Sequence, residues 1–586
     1  AAITIDWSPT KQYIGCNLLN SAKTESDVVY FPSGRNNIVE EEMLVPLNVN
    51  PQYIKEKIGA KRIDSAVKNI ALLEKYIRLG DTTLVLCKGA DSAQKTASIA
   101  LNYFKEKNAL VDISSRPEIQ NTLTIIKYES QEDDPMIECL KYGVAFHHAR
   151  LNGIVKEEIE KLAASGIIKL LFATTTLAQG MNFPITTVIF DTLKLGGGKN
   201  TKDMDATTFW NIAGRAGRAY MDREGHVIIG YKESKKATKA LTVNYIKKDL
   251  EKIVSSLSDF FKNIEGHVEF NYKLVRENPA ISNFLQYLNH IVKVAHKYNL
   301  NNIDTNRIRS ILNTSLFYKE GEFEQGFIET QRKINDFSMS YVNYLKGENK
   351  NQLTLADVFG VSNISLNVVT ASIIDHKEMI KEVYPESEQD NHFLASKIVL
   401  ESKNVESLAE IIDIIAKLPE MQISIWNKTG KLDSESIARV IIGWVNGESV
   451  PKIAQSIKKE ANDTENYLRG LCNQYINGSL KNFVPWGINI YQVLTKDDKS
   501  DNAKMLPSFI YYGVNDKESV ILSKIGVPRF LVSSIKGALK KQFSNQSISP
   551  NNIEEVRERI KQLQDYEFGE NDAEKAKLKN IVMNYI

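Results

Sequence analysis

Between residues 81 and 235, short apolar runs rich in β-branched residues alternate with longer helical patterns. This alternation predicts a parallel sheet with crossover helices. Strands are expected at Thr83–Cys87, Val144–Phe146, Ile167–Phe172, Val188–Phe190 and Val227–Ile229, with helices at Ala93–Phe104 and Val155–Ala164. Such sheets take ligands at the carboxyl ends of their strands. Beyond about residue 240 the alternation stops. Amphipathic stretches such as Asn283–Tyr298, Val405–Leu418 and Ile553–Leu563 then predict a mostly helical half.

Residues 209–218 read Phe-Trp-Asn-Ile-Ala-Gly-Arg-Ala-Gly-Arg, which places Arg215 and Arg218 three apart, each after a glycine. Two guanidiniums at that spacing reach one cluster of anionic oxygens, and arginine binds phosphate as a fork. The pattern suits an arginine pair aimed at a nucleotide γ-phosphate.

Three upstream blocks carry similar chemistry. Lys88-Gly89-Ala90-Asp91 follows the first strand and opens a helix, whose N-terminal N–H groups favour anions. The plain alternative is an ordinary βα turn. Gly143-Val-Ala-Phe-His147-His148-Ala-Arg150 ends the second strand. Adjacent residues on a strand face opposite ways, so the two histidines suit a polar patch touching phosphates better than a shared metal. Ala173-Thr174-Thr175-Thr176-Leu-Ala-Gln-Gly180-Met-Asn182-Phe-Pro ends the third strand in small hydroxyl residues, followed by a glycine that allows close backbone approach. A capped helix start wants the same threonines.

Taken in order, these blocks resemble motifs IV, IVa, V and VI of the second RecA-like lobe of superfamily 2 DExH-box helicases, in the Ski-like branch. The resemblance covers about residues 80–235, and Trp7-Ser8-Pro9-Thr10 is similar to a segment following that family's first lobe. It implies an α/β RecA-like lobe, a parallel sheet with helices on both faces, and a mostly helical C-terminal half that includes a winged helix. It implies ATP contacts from Gly180, Asn182, Asn211, Gly214, Arg215 and Arg218, with the two arginines catalytic. Asn211 stands where the family usually has Gln. The resemblance further implies nucleic-acid contacts from Lys88, Gly89, His147, His148, Arg150, Thr174, Thr175 and Thr176. A glycine turn farther on, Gly526-Val527-Pro528-Arg529, resembles a C-terminal segment of DNA-helicase relatives, with Arg529 placed for a phosphate; the plain alternative is a helix–turn–helix packing element.

No Gly-x-x-x-x-Gly-Lys-Ser/Thr loop or Asp-Glu pair in a matching frame occurs; Gly196-Gly-Gly-Lys199-Asn200 lacks the hydroxyl residue after its lysine. The family needs both for ATP and Mg²⁺. Half of the ATP site and the Mg²⁺ ligands are therefore expected on a first lobe preceding Ala1, and the chain alone is expected to be inactive.

The expected organisation is a connector with some strand over 1–50, the lobe over 51–240, a winged-helix-like or helical domain over 241–350, and a helical ratchet-like domain with a C-terminal helix–turn–helix element over 351–586. Asp191–Asp205 is expected to hold either a duplex-splitting hairpin, with Leu193-Lys194-Leu195 and the triple glycine, or a surface loop.

Lys+Arg (74) and Asp+Glu (72) nearly cancel, so nucleic-acid contact must come from local patches. The four scattered cysteines suggest neither a disulfide framework nor zinc and fit a reducing cytoplasm. No run approaches the ~18–20 apolar residues of a membrane span. The expected function is an ATP-dependent helicase moving 3′ to 5′ on single-stranded or partly duplex DNA. An RNA helicase of the same branch, a non-catalytic nucleic-acid-binding module and a partner-docking module remain as alternatives.

Overall fold

The computed structural model describes residues 11–31, 42–78, 82–130, 133–175, 185–195, 202–217, 224–230, 234–247, 256–263, 268–296, 305–313, 327–421, 432–457, 463–497, 499–544, 546, 548–564, 568 and 572–586. Arg218, Gly180, Asn182 and Thr176, along with Trp7–Thr10, lie outside them. The chain forms two compact units, 1–251 with 537–545 and 557–586, and 252–536 with 546–556.

The first unit is built on strands β1 (Lys11–Leu19), β2 (Ser26–Phe31), β3 (Met43–Pro46), β4 (Thr83–Leu86), β5 (Val144–His147), β6 (Leu170–Ala173), β7 (Thr187–Phe190), β8 (Lys194–Leu195), β9 (Lys202–Asp203) and β10 (Glu224–Ile229). Its helices are α1 (Pro51–Lys57), α2 (Ser65–Arg78), α3 (Ala90–Glu106), α4 (Pro117–Glu129), α5 (Pro135–Leu140), α6 (Gly153–Ala164), α7 (Ala206–Ala213) and α8 (Lys235–Lys247). Eight strands make one sheet in the order β3-β2-β1-β10-β7-β4-β6-β5. From β1 to β5 all neighbours are parallel; β2 and β3 continue the sheet antiparallel. Every residue of β4, β5, β6 and β7 is buried, which is why these strands read as unbroken apolar runs. α3 packs on β5 and β6, α2 on β4, and α8 on β1. This is a RecA-like α/β lobe.

Residues 1–50, expected to be a connector with some strand, supply three strands of this sheet among their described residues. Gln12 of β1 lies opposite Gly225 of β10, 213 positions away. The buried Asn17 makes β1 look loop-like in sequence, yet its side chain donates to Ser26 Oγ (2.7 Å) and Asp27 O (3.2 Å).

The end of the chain also departs from the expected organisation. The helix Asp572–Tyr585 groups with the lobe. Tyr585 donates its hydroxyl to Glu158 Oε1 on α6 (2.7 Å), and Lys577 Nζ donates to Gln120 Oε1 on α4 (3.0 Å). Lys161 lies 3.9 Å from the Tyr585 ring centroid.

The second unit is helical. The expected helices appear as Pro279–His296 and Val405–Ile415. One buried cluster runs from Phe261 and Phe284 through Phe337 and Tyr341 to Leu353 and Ile364, so no boundary falls near 350. Among the described residues of 241–350 all regular structure is helical. The two-stranded wing that a winged helix requires is not among them. No single described helix is long and apolar enough to cross a membrane.

Candidate nucleotide and nucleic-acid site

The sheet presents two edges with different chemistry. At the carboxyl edge the strand ends are tied together. Cys87 N donates to Ala173 O (2.7 Å), Thr174 N to His147 O (3.1 Å), and Asp191 N to Leu86 O (3.2 Å). Lys88, Gly89, Thr174 and Thr175 are thereby gathered at one edge. Lys88 is exposed and the two threonines are half-buried. Gly89 caps α3 in extended conformation and brings no side-chain hydrogen bond, so among the described residues no N-cap side chain occupies the first-turn N–H groups of this 17-residue helix. Arg150 reaches across from the end of β5, its Nη1 3.0 Å from Asp91 Oδ1 in that first turn.

The two histidines do not project from this edge, which corrects the expectation that their side chains touch phosphates. His147 and His148 are only 4% and 5% exposed. His147 Nε2 lies 2.8 Å from Glu160 Oε1 on α6. His148 stacks on Phe146, two residues back on the same face of the strand, with centroids 5.6 Å apart. Burial, then the charges of His147 and Arg150, pull the His148 imidazole down to about 4, so it is neutral at physiological pH. Opposite-facing rings cannot share an ion.

The amino edge holds the arginine loop. α7 begins at Asp205, whose carboxylate accepts from Thr208 N (2.6 Å). It ends at Gly214, and Arg215 follows. Ala216 then pairs in parallel with Ile185, just ahead of β7, and Gly217 N donates to Ile185 O (2.9 Å). Gln12 Nε2 donates to Ala216 O (2.9 Å) and Ala213 O (3.3 Å), the carbonyls bracketing Arg215. Gly225 of β10 passes so close that a Cβ there would sit 2.4 Å from the carbonyl carbon of Ala216. Arg215 is half-buried, and burial lowers its pKa, though a guanidinium keeps its charge at neutral pH. Asn211, four residues earlier, is exposed on α7. Gln12 was not legible as a site residue, because a glutamine among apolar positions carries no motif.

The two edges lie roughly 17 Å apart, the length of β7 and its flanks at ~3.3 Å per residue. Between them α7 runs about 12 Å, at ~1.5 Å per residue, from the carboxyl side to Arg215. At the head of α7 stands the hairpin β8–β9, paired as Lys194↔Asp203 and Leu195↔Lys202. Met204 N donates to Leu193 O (2.7 Å), Tyr245 OH of α8 donates to Met204 O (2.8 Å), and both Leu193 and Met204 are buried. The described ends of Asp191–Asp205 thus pair as two short antiparallel strands.

A helicase conserved C-terminal domain model matches residues 105–220, the stretch holding β5, β6, β7 and the arginine loop. Over 114 residues the chain is 40% identical to the antiviral helicase SKI2 of Saccharomyces cerevisiae, covering 19% of this chain and 9% of that one. The lobe is the C-terminal helicase domain of a superfamily 2 DExH-box protein. The exosome RNA helicase MTR4 of Homo sapiens is 42% identical to this DExH-box lobe over 94 residues, 16% of this chain and 9% of that one. The Hachiman protein HamB of Bacillus cereus is 23% identical over 598 residues, 92% of this chain and 50% of that protein. The chain thus spans about half the length of HamB and a tenth or less of SKI2 and MTR4.

Arg529 belongs to the helical unit and is turned inward, which corrects its expected role as a phosphate contact. Its Nε donates to Gly513 O (2.9 Å) and its Nη2 to Trp444 O (2.6 Å) and Glu448 O (3.0 Å). The guanidinium lies 3.9 Å from the Trp444 ring centroid. The glycine turn before it is a helix-packing joint.

Proposed function

We propose that this lobe is the second half of an ATP-dependent motor that moves along a single nucleic-acid strand. The observation carrying the reading is the division of labour between the sheet edges. An uncapped helix N-terminus with Lys88 and two threonines suits strand phosphates at one edge. A braced, half-buried arginine suits nucleotide phosphate at the other. ATP fits the amino edge: Arg215 is a fixed cation there, and Gly214 and Asn211 are exposed beside it. Bound ATP would supply the phosphoanhydride whose cleavage drives the cycle. Arg215 would neutralise charge developing on the γ-phosphate, Gln12 would hold its loop, and Mg²⁺ with the remaining phosphate ligands would come from a first lobe.

A change at the arginine loop has a rigid route to the strand edge through α7, whose head anchors the hairpin. In this reading the hairpin parts a duplex as the strand advances. DNA is the preferred strand, with 3′ to 5′ movement. The name of the MTR4 relative supports RNA as the second reading, over the much shorter stretch that it matches.

ATP hydrolysis by the full-length gene product, with and without single-stranded DNA or RNA, tests this. Stimulation by a strand, lost in Arg215→Ala while strand binding persists, supports it, and the stronger stimulant identifies the substrate. Absence of hydrolysis with either strand rejects the motor in favour of a binding module.

A further inference from the structure

The helical unit contains a cavity of about 380 Å³ that none of the motor residues lines. Lys377, Lys381, Lys397, Lys496 and Lys499 converge on it. Among the described residues none of the five forms an ion pair. They outnumber the three carboxylates of the wall. One of these, Asp497, is buried and already engaged by Ser396, which donates its N–H (2.9 Å) and its hydroxyl. Lys377 lies 5.3 Å from the Phe393 ring centroid, and no described carboxylate pairs with any of the five; like charges gathered in this way repel one another, and an anion placed among them relieves that repulsion.

Two uncommon backbone features meet at the same place. Ile398–Ser402 forms a π-turn that begins at Lys397 and carries Glu401 into the wall. Lys496 adopts a left-handed conformation (φ 59°), which a residue with a Cβ rarely takes. π-turns and left-handed non-glycine residues gather at functional sites. The rest of the lining is partly apolar, with Ile380 and Leu394 beside Phe393.

We propose that this cavity binds a small molecule bearing two or more phosphate groups. The lysines would hold the phosphates, and the Phe393 wall would face the less polar remainder. Several ammonium groups match a multiply charged anion, whereas a single carboxylate would neutralise only one of them. The volume falls in the range of small-ligand pockets, ~300–1,000 Å³. The site belongs to a different unit from Arg215, so it does not depend on the motor reading.

Calorimetric titration of the chain with inorganic pyrophosphate tests the proposal. Saturable binding is expected, weakened about tenfold or more, the factor per ~1.4 kcal/mol, in Lys381→Ala/Lys499→Ala. It should be retained in Lys381→Arg/Lys499→Arg. Both lysines are exposed, and an unshifted melting temperature would verify that the variants fold. The proposal is overturned if millimolar pyrophosphate gives no binding, or if the alanine pair binds as tightly as the parent. It is equally overturned if single-stranded oligonucleotide requires these lysines while pyrophosphate does not bind.

Discussion

Gln12 donates its side-chain amide to the carbonyl oxygen of Ala216, one residue past Arg215, at 2.9 Å. The same nitrogen lies 3.3 Å from Ala213 O, so one glutamine on an early strand holds both sides of the arginine loop. Replacing it by alanine removes hydrogen bonds worth about 1 kcal/mol each. Gln12→Ala is expected to lower kcat for ATP by roughly five- to tenfold, with KM and melting temperature little changed. An unaltered kcat would show that Gly217 and Ile185 suffice to place the arginine.

Gly225 gives a sharper test. A methyl group there would meet the Ala216 backbone at 2.4 Å, and neither strand nor loop has slack, because both are backbone. Gly225→Ala is expected to push the arginine loop off the sheet. ATP turnover should then collapse while strand affinity, which the proposed function assigns to the other edge, stays near that of the parent. Parallel loss of both would mean that the whole sheet had shifted.

The buried His148 makes the lobe acid-sensitive. Its imidazole titrates near 4 in the folded state, against an ordinary value of 6.5. Well above pH 6.5 it is neutral in both states and adds no pH dependence. As pH falls from there toward 4, the unfolded chain takes up a proton that the folded one refuses, so stability drops. The loss reaches about 2 kcal/mol by pH ~5, at 1.36 kcal/mol per pH unit. His148→Gln should flatten this part of the stability–pH curve in chemical denaturation at pH 5 and 7; an unchanged slope would assign it to other groups.

Arg529 is expected to matter for folding. Arg529→Ala removes a donor from three carbonyls, of which Trp444 O keeps the Gly447 N–H, and removes the cation from the face of Trp444. Each charge-assisted bond is worth ~1.5–3 kcal/mol, so a marked fall in the melting temperature of the helical unit should result. Below that melting point strand affinity should match the parent. Arg529→Lys should not restore stability, since an ammonium lacks the fork that spans Gly513 and Trp444. Weaker strand binding by a folded Arg529→Ala would restore the phosphate-contact role.

The central strands were legible because a parallel strand buried on both faces leaves an unbroken apolar run, as at Thr83–Leu86 and Leu170–Ala173. The hairpin showed itself through its triple glycine. β1 was obscure for the opposite reason: its partner β10 is 213 residues away, and Asn17 looks polar until its hydrogen bonds to Ser26 and Asp27 are seen. His147 and His148 looked like surface ligands because sequence shows residue type without depth. Arg529 misled in the same way, since a cation beside a turn serves a phosphate and a ring of carbonyls equally well.

The helix Asp572–Tyr585 packs against α4 and α6, elements made hundreds of residues earlier. During synthesis the sheet emerges long before this helix, and the whole helical unit is translated in between. The lobe therefore leaves the ribosome with one flank uncovered and closes only after the chain returns to it. Such late, long-range closure slows folding and lengthens exposure to aggregation. Truncations that spare every motif of the lobe should accordingly fail at the level of yield before they fail at the level of chemistry.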